Sequence, residues 1–145
     1  MTEKSYNCPI QKENLVPYVF GGNATFTLYS AKTGLRYTFK IKREPNSYWY
    51  RVMRLFGDDN TKDYRYIGCI YKNDNGEGPI KWKESTYSEA SKQINFFFRV
   101  LAGEYEWPKT MYFYPSGRCA RCGRLLTTPE SVTTGFGPKC TRYFL

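Results

Sequence analysis

Histidine is absent from this chain of 145 residues. That absence excludes a histidine base for a serine or cysteine nucleophile, an HExxH metal site, and a zinc finger built on paired cysteines and histidines. Long apolar runs are missing too. No stretch approaches the ~18 residues of a membrane span, and the opening MTEKSYNCPIQKENLVPYVF has no apolar core of signal-peptide type. The chain is therefore expected to be soluble and intracellular, with no membrane partner. No GxxxxGK[ST] or GxGxxG phosphate loop occurs, which removes the usual nucleotide-binding strand-to-helix turns. Acids are in short supply, 13 against 22 Lys and Arg.

What is present is charge and aromatic bulk. The net charge is +9, and 14 Tyr with 10 Phe supply ample side-chain volume for a core. The length fits one domain with a small appendage. A positive surplus of this size favours polyanions, among which nucleic acid or a nucleoprotein complex leads.

Period-two alternation marks the body as β-rich. ATFTLYS (24–30) and LRYTFKIKR (35–43) flank AKTG, whose Gly34 suits a tight turn. In the second strand Leu35, Tyr37, Phe39 and Ile41 point one way, and Arg36, Thr38, Lys40 and Lys42 the other. One face is core and the other cationic. YWYRVMRLF (48–56) and YRYIGCIYK (64–72) read as a second hairpin across GDDNTKD, and NDNGEGP (73–79) precedes a short strand near IKWK. From Thr86 to Gly103 the period turns helical, with Ala90, Ile94, Phe97, Phe98 and Leu101 on one side. Thr86 with Glu89 fits a capping box, and Gly103 the left-handed C-terminal position. TMYFYPSG (110–117) reads as a last strand. The expected fold is α+β: an antiparallel, meander-like sheet with one main amphipathic helix, and a small zinc-knuckle or treble-clef-like module. The expected organisation is an arm at 1–17, a body at 18–115 and the module at 116–145.

Three of the five cysteines lie in GRCARCGRLLTTPESVTTGFGPKC (117–140). Cys119 and Cys122 have the CxxC spacing with which a knuckle offers two thiolates to zinc, with Gly123 easing the turn, and Cys140 returns beside GFGP. In a reducing compartment this spacing favours a metal over a disulfide. A structural zinc takes four ligands. Cys8 is the first candidate for the fourth, ahead of Cys69, which reads as a small buried hydrophobe; a carboxylate, a second molecule or water are the other options. Around the cysteines stand Arg118, Arg121, Arg124, Lys139 and Arg142. With Arg36, Lys40 and Lys42 they are the candidate nucleic-acid or partner contacts, and Tyr29, Tyr37, Trp49 and Tyr50 are candidate base-stacking rings.

The stretch CARCGRLLTTPESVTTGFGPKC resembles a CxxCGRxLxxPxSxxxGxGPxC module of unassigned function in proteins of bacteriophages and their hosts. The upstream GGNATFTLYSAKTGLRYTFKI resembles a segment that accompanies it. Cys119, Cys122, Gly123, Arg124, Leu126, Pro129, Ser131, Gly135, Gly137, Pro138 and Cys140 carry the match. The resemblance implies a phage or prophage origin, a metal-binding knuckle and the cytoplasm of a bacterial host. The expected function is a non-enzymatic, zinc-stabilised, basic binding protein acting on nucleic acid or a nucleoprotein complex. The alternative is a phage antagonist of a host defence nuclease, of the anti-CRISPR kind, that binds the nuclease itself. A metal-dependent nucleic-acid enzyme ranks third, since no proton-transfer partner lies near the cysteines.

Overall fold

The computed structural model describes residues 6–57, 62–71, 81–85, 88–126 and 134–137. Its elements in chain order are helix α1 (Lys12–Val19), strands β1 (Asn23–Ser30), β2 (Arg36–Arg43), β3 (Trp49–Leu55), β4 (Tyr64–Tyr71) and β5 (Lys81–Glu84), helix α2 (Glu89–Leu101) and strand β6 (Met111–Pro115). The sheet runs β5-β4-β3-β2-β1-β6, and every pairing in it is antiparallel. The first five strands form the expected meander. The sixth returns to the far edge and pairs with β1, placing Phe113 opposite Leu28.

Alternation decides which face is buried. Ala24, Phe26 and Leu28 of β1 and Phe39 and Ile41 of β2 are buried, while the residues between them are not. Register then stacks Phe26 opposite Phe39 and Ala24 opposite Ile41. The core is a cluster of rings. Phe113 stacks on Phe26 at 4.7 Å between centroids and on Phe97 of α2 at 5.5 Å, the offset geometry that adds about 0.5–1.5 kcal/mol per pair beyond burial. Each large side chain fully buried here contributes about 1.5–3 kcal/mol by transfer from water.

Helix α2 starts at Ser88, whose hydroxyl accepts from the Ser91 N–H at 3.1 Å. This corrects the capping box expected at Thr86, a residue that lies outside the described set. The end of α2 is as expected: Gly103 has φ +85, its N–H donates to Val100 O, and that of Glu104 donates to Arg99 O. These paired bonds are the Schellman closure.

Helix α1 is a second helix that the sequence pattern does not announce, and it crosses the boundary drawn at residue 17. Pro17 sits inside it, removing one backbone donor, and no side chain caps its start. Tertiary burial of Leu15, Tyr18 and Val19 holds it in place. The Tyr18 ring meets Phe113 edge-on at 5.9 Å, so α1 and α2 cover the same face of the sheet. Among the described residues no helix covers the other face.

Candidate nucleic-acid interface and cysteine knuckle

The uncovered face collects what alternation sends outward. Arg36, Thr38, Lys40 and Lys42 of β2 lie there, as the sequence pattern requires, between Asn23, Thr25, Thr27 and Tyr29 of β1 and Trp49, Arg51 and Met53 of β3. Beyond them, Lys81 and Lys83 of β5 stand in register with Tyr71 and Cys69 of β4. On the β6 side, Tyr112 and Tyr114 stand opposite Tyr29 and Thr27. No aspartate or glutamate belongs to the described strand positions of this face. Glu44, one residue past β2, pairs with Arg51 at 2.5 Å at its margin.

Cations and rings interleave on this face. The Arg36 guanidinium lies 5.2 Å from the Tyr29 centroid, and the Lys40 ammonium 4.5 Å from that of Tyr64, both within cation–π range. Tyr112 and Tyr114 are nearly parallel, 8° apart with centroids at 6.3 Å. Burial raises the Tyr64 hydroxyl above its ordinary range, and burial together with the adjacent Cys69 thiol does so for Tyr66. Both stay neutral hydroxyls at physiological pH.

Two of the four expected stacking rings are on the wrong side. Tyr37 and Tyr50 face the helices; Tyr50 is buried and donates to the Phe20 carbonyl at 3.2 Å. Alternation alone assigns them there, since each shares parity with a core neighbour. Tyr29 and Trp49 do reach the open face. Arg54 turns to the helix side, where its guanidinium lies 4.6 Å from the Tyr37 ring and 4.1 Å from that of Phe56. The rings that sequence reasoning missed are Tyr64, Tyr66, Tyr71, Tyr112 and Tyr114. Their signal was parity within β4 and β6, but which strands neighbour each other is a non-local property.

The cysteine stretch forms a small hairpin. Arg118 bridges to Leu125, and the Cys119 N–H donates to Arg124 O at 2.8 Å. Within it, the Arg121 N–H donates to Cys119 Sγ at 3.4 Å, the Gly123 N–H donates to Cys119 O at 2.9 Å, and Gly123 has φ +80. A left-handed glycine after the second cysteine closes the turn. Cys119 is buried and Cys122 exposed, and no disulfide joins them. Arg118, Arg121 and Arg124 are exposed around this hairpin. Arg118 also donates to Gly123 O at 3.1 Å.

Cys140, Lys139 and Arg142 lie outside the described residues. Cys8 sits beside Tyr6, and burial pushes its thiol up to about 11. Tyr18 lies within electrostatic reach of both Cys8 and Cys119, though burial is the main cause of its raised hydroxyl. Among the described residues no three Cys, Asp or Glu side chains come together to hold a metal ion. The structure thus places Cys119 and Cys122 on one hairpin and does not bring Cys8 into one cluster with both.

The hairpin is tied to the open face. Gly123 packs against Asn23, whose Nδ2 would stand 3.2 Å from an added Cβ, and Asn23 is opposite Lys42 in register. The arginines of the cysteine hairpin therefore stand at the Lys42 end of the cationic sheet. An α+β protein with a six-stranded antiparallel sheet, two helices on one face and, among the described residues, no helix on the other, basic face is the class that this geometry defines. The model of a family of unknown function (DUF6011) matches residues 109–145, the segment holding β6 and the cysteine stretch. No curated protein and no solved structure matches the chain.

Proposed function

We propose that this protein binds nucleic acid, alone or within a nucleoprotein complex, through the helix-free face of its sheet, and that it catalyses no reaction. The observation that carries this reading is the composition of that face: Arg36, Lys40, Lys42, Lys81 and Lys83 with interleaved tyrosines and no acid at the described strand positions. A phosphate backbone is the ligand that a spread of cations with neutral rings recognises, because release of its condensed counterions drives association. The knuckle at the Lys42 end extends the same charge through Arg118, Arg121 and Arg124.

In this reading a zinc ion fixes the C-terminal module. Cys119, Cys122 and Cys140 are three of its ligands, with Cys8 the leading fourth. Two thiols at CxxC spacing, one accepting a backbone amide, are donors that would suit zinc; among the described residues no third donor joins them. Zinc there supplies a structural cross-link. The resemblance of the module to phage proteins makes the proposed setting the cytoplasm of a bacterial host.

Fluorescence anisotropy with a labelled oligonucleotide tests the reading. Binding at low salt that weakens as salt rises, with a slope of roughly 0.7 in log K per contacted phosphate for single strands, is the expected result. Absence of binding at low salt overturns it, and capture of a host nuclease complex by the same preparation would then favour the antagonist reading.

A further inference from the structure

The open face is wide, ringed and low in the middle, and those three properties narrow its ligand. We infer that the strand it takes is single, lying across β1 and β2 with bases on Tyr112 and Tyr114; this rests on the nucleic-acid reading of the face and goes beyond it.

Width argues first. Six strands span five spacings of ~4.8 Å, or about 24 Å, whereas a duplex major groove is ~12 Å wide and admits a helix or a two-stranded ribbon. This sheet cannot enter it. Against an undeformed duplex, the face would meet the phosphate backbone, and its tyrosines would not reach the base edges of the major groove. A single strand has no such restriction, because its unstacked bases can turn toward the protein.

The rings are placed for that. Tyr114 is 46% exposed, so one side of its ring is open to a base. Its parallel partner Tyr112 stands 6.3 Å away, close to twice the ~3.4 Å step of stacked bases. Tyr29, tilted against Tyr112 at 5.9 Å, carries Arg36 on its ring, which sets a cation at the end of the aromatic row. Beside that row the floor drops. Thr25, Thr27 and Thr38 are short, and the Thr27 and Thr38 hydroxyls bond to each other at 2.7 Å. A chain can lie over this strip with phosphates toward Lys40 and Lys42, whose register partners are Thr25 and Asn23.

Single-stranded DNA and RNA share this chemistry, so both are assayed. The affinities of the protein for a thymidine oligonucleotide of about a dozen nucleotides, within the range one such site covers, for its uridine counterpart, and for a mixed-sequence duplex of equal length are measured by anisotropy at one salt concentration. A Tyr112→Ala, Tyr114→Ala variant and a Tyr114→Phe variant follow, each checked for the wild-type melting profile. The expected result is at least tenfold tighter binding of one or both single strands than of duplex, about tenfold or greater loss in the double variant, and retention in Tyr114→Phe. Which single strand binds more tightly assigns DNA or RNA. Equal affinity for single strand and duplex, or full single-strand affinity in a folded double variant, overturns this inference and leaves the nucleic-acid reading standing. Binding of neither ligand overturns both. If the double variant does not fold, the wild-type comparison of strand and duplex still decides.

Discussion

The Asn23 N–H donates to the Ala120 carbonyl at 2.6 Å. Through this bond the first residue of β1 holds the residue after Cys119 in the cysteine hairpin, and the same Asn23 stands opposite Lys42 on the open face. The cysteine hairpin, the start of β1 and the cationic face are therefore one mechanical unit. Phe136 adds to it from the far side, fully buried and edge-on to Tyr18 at 6.5 Å.

A metal in the knuckle would stiffen that unit, so metal content and stability should fall together. Elemental analysis of the purified protein is expected to find one zinc per chain, and Cys122→Ser to lose it with a lower melting temperature, since binding and folding of such a site are linked. Cys122 is exposed, so the serine itself costs little packing. Zinc retained in full by the variant, or absent from the start, would refute the site.

Gly68 is needed for space. Trp82 lies across it, and an added Cβ would collide with the indole Cη2 and stand 2.7 Å from the Lys83 carbonyl. Gly68→Ala is expected to cost about 1–3 kcal/mol, the usual range for overpacking, read as a lower urea midpoint. Combining it with Trp82→Leu should recover part of that loss. A strictly additive pair would show that the two residues do not meet.

Ser88 caps α2 through Ser91. Ser88→Ala is expected to destabilise by about 1 kcal/mol, and Ser88→Asp to stay near wild type because a carboxylate accepts the same N–H. Thermal melts of the two variants check this, and an undiminished Ser88→Ala melt would place the cap elsewhere.

Most of the body was legible in the sequence because alternation and helical period are local signals. Phe39 and Ile41 inward with Lys40 and Lys42 outward followed from parity within one strand, and the structure agrees. Helix α1 was not legible, since Pro17 breaks the local pattern and its stability comes from Tyr18 and Val19 packing on distant residues. The full aromatic surface was not legible either: Tyr112 becomes a neighbour of Tyr29 only because β6 returns to β1, a pairing no local pattern encodes. The cap slipped from Thr86 to Ser88, a two-residue shift among adjacent hydroxyl residues. The Cys119–Cys122 spacing reads as a metal half-site; the structure shows a hairpin around the two residues, while Cys140 lies outside the described residues.

In the proposed reading, binding depends on which face carries the charge, not on the net +9 as such. Two variants with equal charge change separate these: Lys40→Glu with Lys42→Glu on the open face, and Lys12→Glu with Lys92→Glu on the two helices. Oligonucleotide affinity measured by anisotropy at one salt concentration is expected to fall at least tenfold more in the first than in the second, with both folded. Equal losses in the two variants would contradict the account.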